Sequence, residues 1–260
     1  MAKKKKISFE DFYADIYGNR WEALKESLLA DPAHMNLEEG LLKTYYMDPA
    51  SAVAAGQLGV QEGDSVLDMC AAPGGKTLIL ASALKGSGSL VSNDRSPDRR
   101  RRLSKVIEEH LPAEHRSNIS ISGYDATRWG LFEKDVYDRV LLDAPCSSEQ
   151  HVLKSPAHLK KWSPARTKQL AIQAHAMLAA AVDAVKPGGI ILYSTCSLSP
   201  LENDGVIEKL LKKRSELVEV LSADENRGEK TLYGRHILPD QCPGEGPIYY
   251  AKLRKTGKQQ

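Results

Sequence analysis

The chain has 260 residues, 36 Lys and Arg against 34 Asp and Glu, a formal charge of +2 and four cysteines; this length fits one large domain, or one domain with an appendage, and can bury a full core. Cys70, Cys146, Cys196 and Cys242 lie too far apart for a zinc site or a disulfide framework, so no metal is expected, and a reducing, cytoplasmic setting is. No run reaches the roughly 18 apolar residues of a membrane span, and "MAKKKKISFEDFY" lacks the apolar centre of a signal peptide.

In chain order, Phe9, Phe12, Tyr13, Ile16 and Tyr17 recur at helical spacing. Trp21, Leu24, Leu28 and Leu29 continue the pattern in a second helix that stops at Asp31 and Pro32. Residues 1–46 are expected to form a small helical lobe, and 47–260 the main domain. An alanine-rich helix over 47–59 starts at Asp48 and Pro49. Strands are then expected at 66–69, 88–94, 119–125, 137–146 and 189–196, with helices at 76–84, 97–111, 163–186 and 201–214 between or after them. Pro187, Gly188 and Gly189 stop the long helix, and a last strand covers 246–255. The polar, glycine-rich segment 222–246 reads as loop with a short strand around Leu232.

Strands separated by helices of this length predict an α/β fold with a mostly parallel, doubly wound sheet. Ligands in such sheets bind at the carboxyl ends of the strands, near the switch point. Asp68, Asp94, Asp125, Asp143 and Cys196 all fall at predicted strand ends. One such acid would read as a solvated loop residue, but four in register face one crevice.

The stretch "VLDMCAAPGGKT" (residues 66–77) raises the question of its ligand. A phosphate-binding loop reads G-x-x-x-x-G-K-[ST]. Here Cys70 stands where the first glycine belongs, and Pro73 removes a backbone N–H that would wrap the phosphates. A G-x-G-x-x-G loop is also absent. What remains is a small-residue turn after Asp68, with Asp94 suited to a ribose diol, Asp125 to an adenine amino group, and Asp68 or Asp143 to a cationic amino acid moiety. This set fits S-adenosyl-L-methionine, which carries a sulfonium and no phosphates.

"DAPC" (143–146) and "STC" (194–196) each put a thiol at or just past a strand end. Beside a methyl donor, a thiolate can add to carbon 6 of a pyrimidine and make carbon 5 nucleophilic enough to take a methyl group. Asp143 could share a proton with ring nitrogen 3, and the second thiol could help remove the carbon 5 proton. Cys242 reads as a small buried hydrophobe, and so does Cys70, whose backbone can still touch the ligand.

With "MDPAS", "VLDMCAAPGGKT", "SNDRSPDR", "DAPCS", "KPGGIILYSTCSLSPLEND" and "YYAKLRK" in this order, the chain resembles the Sun-type (NSUN) RNA 5-methylcytosine methyltransferases over roughly residues 41–255. The resemblance implies a Rossmann-like class I S-adenosylmethionine-dependent methyltransferase domain over 47–260. It implies Cys196 as nucleophile and Cys146 as the thiol that assists product release. A cytosine-5 DNA methyltransferase would instead use the Pro-Cys thiol as nucleophile. The donor would be held by Cys70, Ala71, Ala72, Pro73, Gly74, Gly75 and Lys76, with Asp94 on the ribose, Arg99 nearby, Asp125 at the adenine and Asp143 between donor and base. "SSEQHVLK" (147–154) departs from the glycine-containing stretch of many relatives and, with "GPIYYAKLRK", resembles the mitochondrial small-subunit rRNA branch.

The implied substrate is structured RNA, taken to be small-subunit rRNA. tRNA, or a non-catalytic role in ribosome assembly, are the alternatives. Because the first motif begins at Val66, leaving little chain for a large RNA-binding domain before it, either a ribosomal subunit presents the site or a protein partner supplies affinity. Cations cluster at residues 3–6, 99–102, 160–161 and 212–214, and at Lys252, Arg254, Lys255 and Lys258 in the tail, compatible with a phosphate-tracking surface or with solvated faces. Trp162, in "HLKKWSPAR", reads as a stacking platform for flanking RNA or as a core residue at a helix start.

Overall fold

The computed structural model describes residues 7–223 and 227–257; the lysine run at 3–6 and Lys258 lie outside the described residues. The chain opens with helix α1 (Phe9–Tyr17), a 3-10 turn (Gly18–Arg20) and α2 (Trp21–Leu29), followed by a small hairpin of β1 (Met35–Leu37) and β2 (Tyr45–Met47). Then come α3 (Pro49–Gly56), β3 (Ser65–Asp68), α4 (Gly75–Leu84), β4 (Ser89–Asn93), α5 (Pro97–His110), α6 (Ala113–Arg116) and β5 (Ile119–Ser122). A 3-10 helix (Ala126–Leu131) leads to β6 (Tyr137–Asp143), α7 (Glu149–Leu153), α8 (Pro156–Lys161), α9 (Pro164–Ala184) and β7 (Val185–Thr195). The chain ends with α10 (Asp204–Arg214), β8 (Val218–Leu221), β9 (Glu229–Lys230), β10 (Arg235–Ile237) and β11 (Ile248–Lys255).

The large sheet runs β5-β4-β3-β6-β7-β11-β10-β9, with β8 paired to β11. Its first five strands are parallel, and β11 closes onto β7 antiparallel. From β3 the chain winds outward to β5, then returns to lay β6 on the other side of β3. The loops that leave β3 and β6 diverge, and a crevice opens at that switch point. Asp68 ends β3 and Asp143 ends β6, so the two acids flank it.

Alternation along the central strands builds a core on each face. Val66 and Leu141 pack beneath α3, α4 and α5, while Leu67, Val140 and Leu142 pack against the alanine-rich face of α9 and Val206, Ile207 and Leu210 of α10. Each fully buried Leu or Val contributes about 1.5–3 kcal/mol. Three helix starts share one device, an Asp or Ser cap followed by Pro: Asp48 accepts from the Ser51 N–H, Ser96 from Arg99 and Ser163 from Arg166.

Residues 1–46 hold α1, α2 and β1, and their aromatic side chains share a third cluster with Val152, Trp162, Leu198 and Leu238. Trp162 is 5% exposed, its ring 5.1 Å from Phe9, 5.2 Å from Phe12 and 6.0 Å from Tyr13. It is a core residue, and the stacking-platform reading is corrected.

Other expected bounds move for local reasons. The long helix ends at Ala184, because Val185 already pairs with Tyr137; Pro187, Gly188 (φ +82°) and Gly189 lie inside β7, where the register shifts. The expected strand 119–125 stops at Ser122, since Asp125 turns to cap the 3-10 helix. Leu232 sits in a turn between β9 and β10, closed by the Thr231 N–H donating to Gly234 O at 3.0 Å. The β1–β2 hairpin, α7, α8 and β8 add to the expected elements.

Candidate active site

The turn after β3 is held by side chains beneath it. Asn93 Nδ2 donates to Met69 O at 3.0 Å and Tyr124 O at 3.1 Å, and its Oδ1 accepts from the Tyr124 N–H at 2.8 Å, which ties the ends of β3, β4 and β5 together. Two glycines let α4 start close to its neighbours. A Cβ on Gly74 (φ +124°) would meet Val106 at 2.9 Å, and one on Gly75 would meet the Tyr45 ring at 2.9 Å.

Asp68 is 1% exposed. One carboxylate oxygen accepts from Thr77 Oγ1 at 2.8 Å, while Oδ1 is buried without a hydrogen-bond partner. Burial pushes its pKa up to about 7, with the charge of Asp143 adding to the rise. Cys70, beside it, is pushed well up by burial and stays an inert thiol; Cys242 packs, partly buried, against the core.

Lys76 points away from the turn. Its Nζ donates to Asp143 Oδ2 at 2.8 Å and to Ser51 Oγ at 2.6 Å. Burial opposes its charge, but Asp143 more than compensates and the net shift is upward. A phosphate-cradling lysine would face the loop amides; this one faces a carboxylate. Ser194 Oγ donates to Asp143 Oδ1 at 2.8 Å, so both oxygens of that acid are held in place.

Asp94 accepts from the Ser96 N–H at 2.9 Å and pairs with Arg99 at 3.2 Å; Arg99 also donates to Ala72 O. Asp125 Oδ1 takes Thr127 Oγ1 at 2.7 Å, which lowers its pKa, and Oδ2 lies 3.6 Å from Arg95. A cavity of about 390 Å³ is lined by Cys70, Asp94, Arg99, Tyr124 and Asp125. A smaller one of about 120 Å³ is lined by Asp68, the turn residues 70–73, Gly75 and Lys76. A third, of about 410 Å³, holds Lys76, Asp143, Cys146, Ser148, His151 and Cys196. Cys70 is shared by the first two and Lys76 and Asp143 by the last two, so together they form a trough that passes from the β4 and β5 ends to the thiols.

Cys146 Sγ and Cys196 Sγ are 2.9 Å apart, with Ser148 Oγ 3.3 Å from Cys196. Both cysteines are free. Hydrogen bonding from Cys146 lowers the pKa of Cys196, against the effect of burial, and the same contact raises Cys146 well above its ordinary value. The arrangement therefore favours ionisation of Cys196 over Cys146, beside a carboxylate braced by a lysine. That combination can add to an electrophilic carbon and then handle a proton next to it. The expected site residues from Cys70 to Lys76, Asp94, Arg99, Asp125, Asp143, Cys146 and Cys196 all line this trough or contact residues that do, apart from Gly74, which packs beneath it.

The model of the family described as 16S rRNA methyltransferase RsmB/F matches residues 55–254. The chain belongs to that family. It is similar to the mouse (Mus musculus) 5-cytosine rRNA methyltransferase NSUN4, 36% identical over 83% of this chain and 61% of that protein. It is also similar to the mitochondrial tRNA (cytosine(34)-C(5))-methyltransferase of Danio rerio, 37% identical over 83% of this chain and 62% of that one. The chain thus spans about three fifths of the length of these curated relatives. Among solved structures it is similar to NSun6 from Pyrococcus horikoshii with SFG, at a TM-score of 0.72 and 27% identity, covering 85% of this chain and 55% of that one. The fold is the Rossmann-like class I methyltransferase fold of this family.

Several residues in the trough escape a reading of motifs one at a time. Ser51 braces Lys76 from α3, Ser194 braces Asp143 from the next strand, and Ser148, in the left-handed region at φ +54°, reaches both thiols. Each stands within or one residue beyond a quoted motif, but each has a partner 25 to 51 residues away in sequence, Cys196 in the case of Ser148, so only the fold reveals the pairing. Among the described residues, no group of His, Cys, Asp and Glu could hold a metal ion, and no helix is long and apolar enough to cross a membrane.

Proposed function

We propose that the protein transfers a methyl group from S-adenosylmethionine to carbon 5 of a cytosine in structured RNA, with small-subunit rRNA as substrate. The observation that carries this reading is the pair of thiols 2.9 Å apart, facing an Asp143–Lys76 pair at the switch point. The donor set also fits the cofactor. The buried, partnerless Asp68 Oδ1 suits an ammonium group, and the turn offers close backbone approach without a full set of phosphate-wrapping amides. The cavity between Asp94 and Asp125 suits a nucleoside.

S-adenosylmethionine supplies an electrophilic methyl group. The chain's own residues do the rest. Cys196 Sγ adds to carbon 6 of the cytosine, while Asp143, held by Lys76 and Ser194, shares a proton with nitrogen 3 and stabilises the charge that builds there. Carbon 5 then takes the methyl group. With Cys196 bonded to carbon, Cys146 gives up its own proton to solvent and, as a thiolate, takes the proton from carbon 5; the electron pair of that carbon–hydrogen bond expels Cys196 as a thiolate, and the proton shared at nitrogen 3 returns to Asp143. The order suits the pair. The contact with Cys196 is the leading reason Cys146 keeps its proton, and that hold lapses once Cys196 Sγ is bonded to carbon.

RNA has a natural approach to this cleft. Residues 150–182 contain no acid but carry Lys154, Lys160, Lys161, Arg166 and Lys168, and all five are exposed. His151 of this stretch lines the thiol cavity. By contrast, Lys212 pairs with Glu208 and Arg214 with Asp183, so that cationic run serves the chain itself. The Danio relative keeps tRNA as a second reading of the substrate.

The test is transfer of label from methyl-labelled S-adenosylmethionine to total RNA, small ribosomal subunits and free tRNA, with nucleoside mass spectrometry of the labelled fraction. 5-Methylcytidine from the small subunit is expected. Label in tRNA alone would move the substrate, label seen only after adding cell extract would assign RNA affinity to a partner, and label in no RNA under either condition would overturn the reading.

A further inference from the structure

Behind the thiols lies a buried polar cluster that this reaction leaves unused. Glu149 is 0% and Glu202 1% exposed, and they meet across Ser147 and Ser197, the residues that directly follow Cys146 and Cys196. Glu149 Oε1 is contacted by the hydroxyls of Tyr13, Ser147 and, at 3.3 Å, Ser197; its Oε2 accepts the Leu198 N–H at 2.9 Å. Glu202 Oε2 accepts the Ser147 N–H at 3.0 Å, and its Oε1 meets Ser147 Oγ and, at 3.0 Å, Ser197 Oγ.

Counting protons assigns the ionisation. Ser147 has one hydroxyl proton, yet its oxygen closely approaches both carboxyl groups. If it donates to one, the other must donate to it, so one carboxyl is protonated. Both acids accept a backbone N–H on Oε2, but Glu149 Oε1, the atom that meets Ser147, also accepts from Tyr13, which leaves Glu202 as the acid. Burial, followed by the charge of Glu149, pushes Glu202 up to about 7, in the same direction. Besides the two thiols in front of it, which the charge of Glu149 pushes upward, the other titratable groups at the cluster include Tyr13 and Tyr17 of α1, Tyr193 of β7 and His236 of β10. These three tyrosines and the histidine are held neutral by burial.

We propose that Glu149 and Glu202, sharing one proton, are positioning residues that clamp the two thiol loops together, and that Tyr13 ties this clamp to the N-terminal helix. The thiol separation would then depend on a carboxyl pair that touches neither substrate nor cofactor. Nothing in the clamp requires RNA, so it can be tested even if the proposed substrate is wrong.

The test uses the full chain and phenylarsine oxide, which bridges two neighbouring thiols, alongside methyl transfer. Glu149→Gln places an amide where only acceptors fit. It is expected to weaken arsenical binding and lower kcat by about 10²-fold each, the usual cost of a 1 Å misplacement, while KM for the methyl donor holds. Glu202→Gln keeps a donor at its position and is expected to cost about tenfold less. A folded Glu149→Gln variant with unchanged arsenical affinity overturns the proposal, as does Glu202→Gln proving the more damaging. Should Glu149→Gln fail to fold, Tyr13→Phe decides. It deletes one hydroxyl and is expected to weaken arsenical binding measurably, and unchanged binding there overturns the clamp.

Discussion

Replacing Cys146 with Ala removes the hydrogen bond that favours the Cys196 thiolate. The contact spans 2.9 Å between buried sulfurs and is the largest influence lowering the Cys196 pKa. A hydrogen bond to a charged group contributes about 1.5–3 kcal/mol. At about 1.36 kcal/mol per pKa unit, the loss is expected to raise the Cys196 pKa by about 1–2 units. Below the wild-type midpoint the thiolate fraction falls by about 10- to 100-fold. Ser148, 3.3 Å away, supplies a second and longer contact, so Ser148→Ala is expected to shift the same midpoint by less. Iodoacetamide alkylation of Cys196, followed across pH by mass spectrometry of its peptide, reads this directly without RNA. A midpoint that stays put or falls in Cys146→Ala would refute the assignment of Cys196 as the thiolate.

Asp68 has a folded pKa of about 7 against its ordinary 3.8. Between those values the folded state binds the extra proton, so Asp68's contribution makes the ligand-free protein lose stability as pH rises through this window; Asp68→Asn is expected to flatten that slope in thermal melts. If Asp68 pairs with the donor's ammonium, donor affinity in calorimetry rises with pH up to about 7 in the wild type and is weaker and flat in Asp68→Asn. The double variant Lys160→Glu/Lys161→Glu is expected to raise KM for RNA and reduce the salt slope of binding by about 0.7 per lost phosphate contact, with donor affinity unchanged in filter-binding and calorimetry. Trp162→Ala should cost about 3–5 kcal/mol in urea unfolding through the cavity it leaves among Phe9, Phe12 and Tyr13, and a surface-like cost would contradict its burial.

The parallel sheet and the trough were legible because the signals are local. An apolar run ending in an acid recurs at Asp68 and Asp143, and cap residues followed by Pro mark where α3, α5 and α9 begin. The thiol pair was legible through its two motifs. What the sequence did not disclose depends on contacts between distant segments. Trp162 neighbours lysines in sequence, as an RNA platform would, but α1 and α2 fold over it. Nothing in the sequence around Glu149 signals that Ser147, Ser197 and Tyr13 surround it in the fold. The helix bound at 186 failed because β-pairing of Val185 with Tyr137 overrides local helical preference.

The central claim is covalent catalysis with divided labour between the thiols. It is tested most directly by incubating wild type, Cys146→Ala and Cys196→Ala with small-subunit RNA and methyl-labelled donor, then resolving protein and RNA on denaturing gels. Cys146→Ala is expected to form, slowly, a labelled protein–RNA adduct that survives denaturation, and Cys196→Ala to form neither adduct nor 5-methylcytidine. Normal turnover by Cys196→Ala, or an adduct that persists without Cys196, would contradict the account.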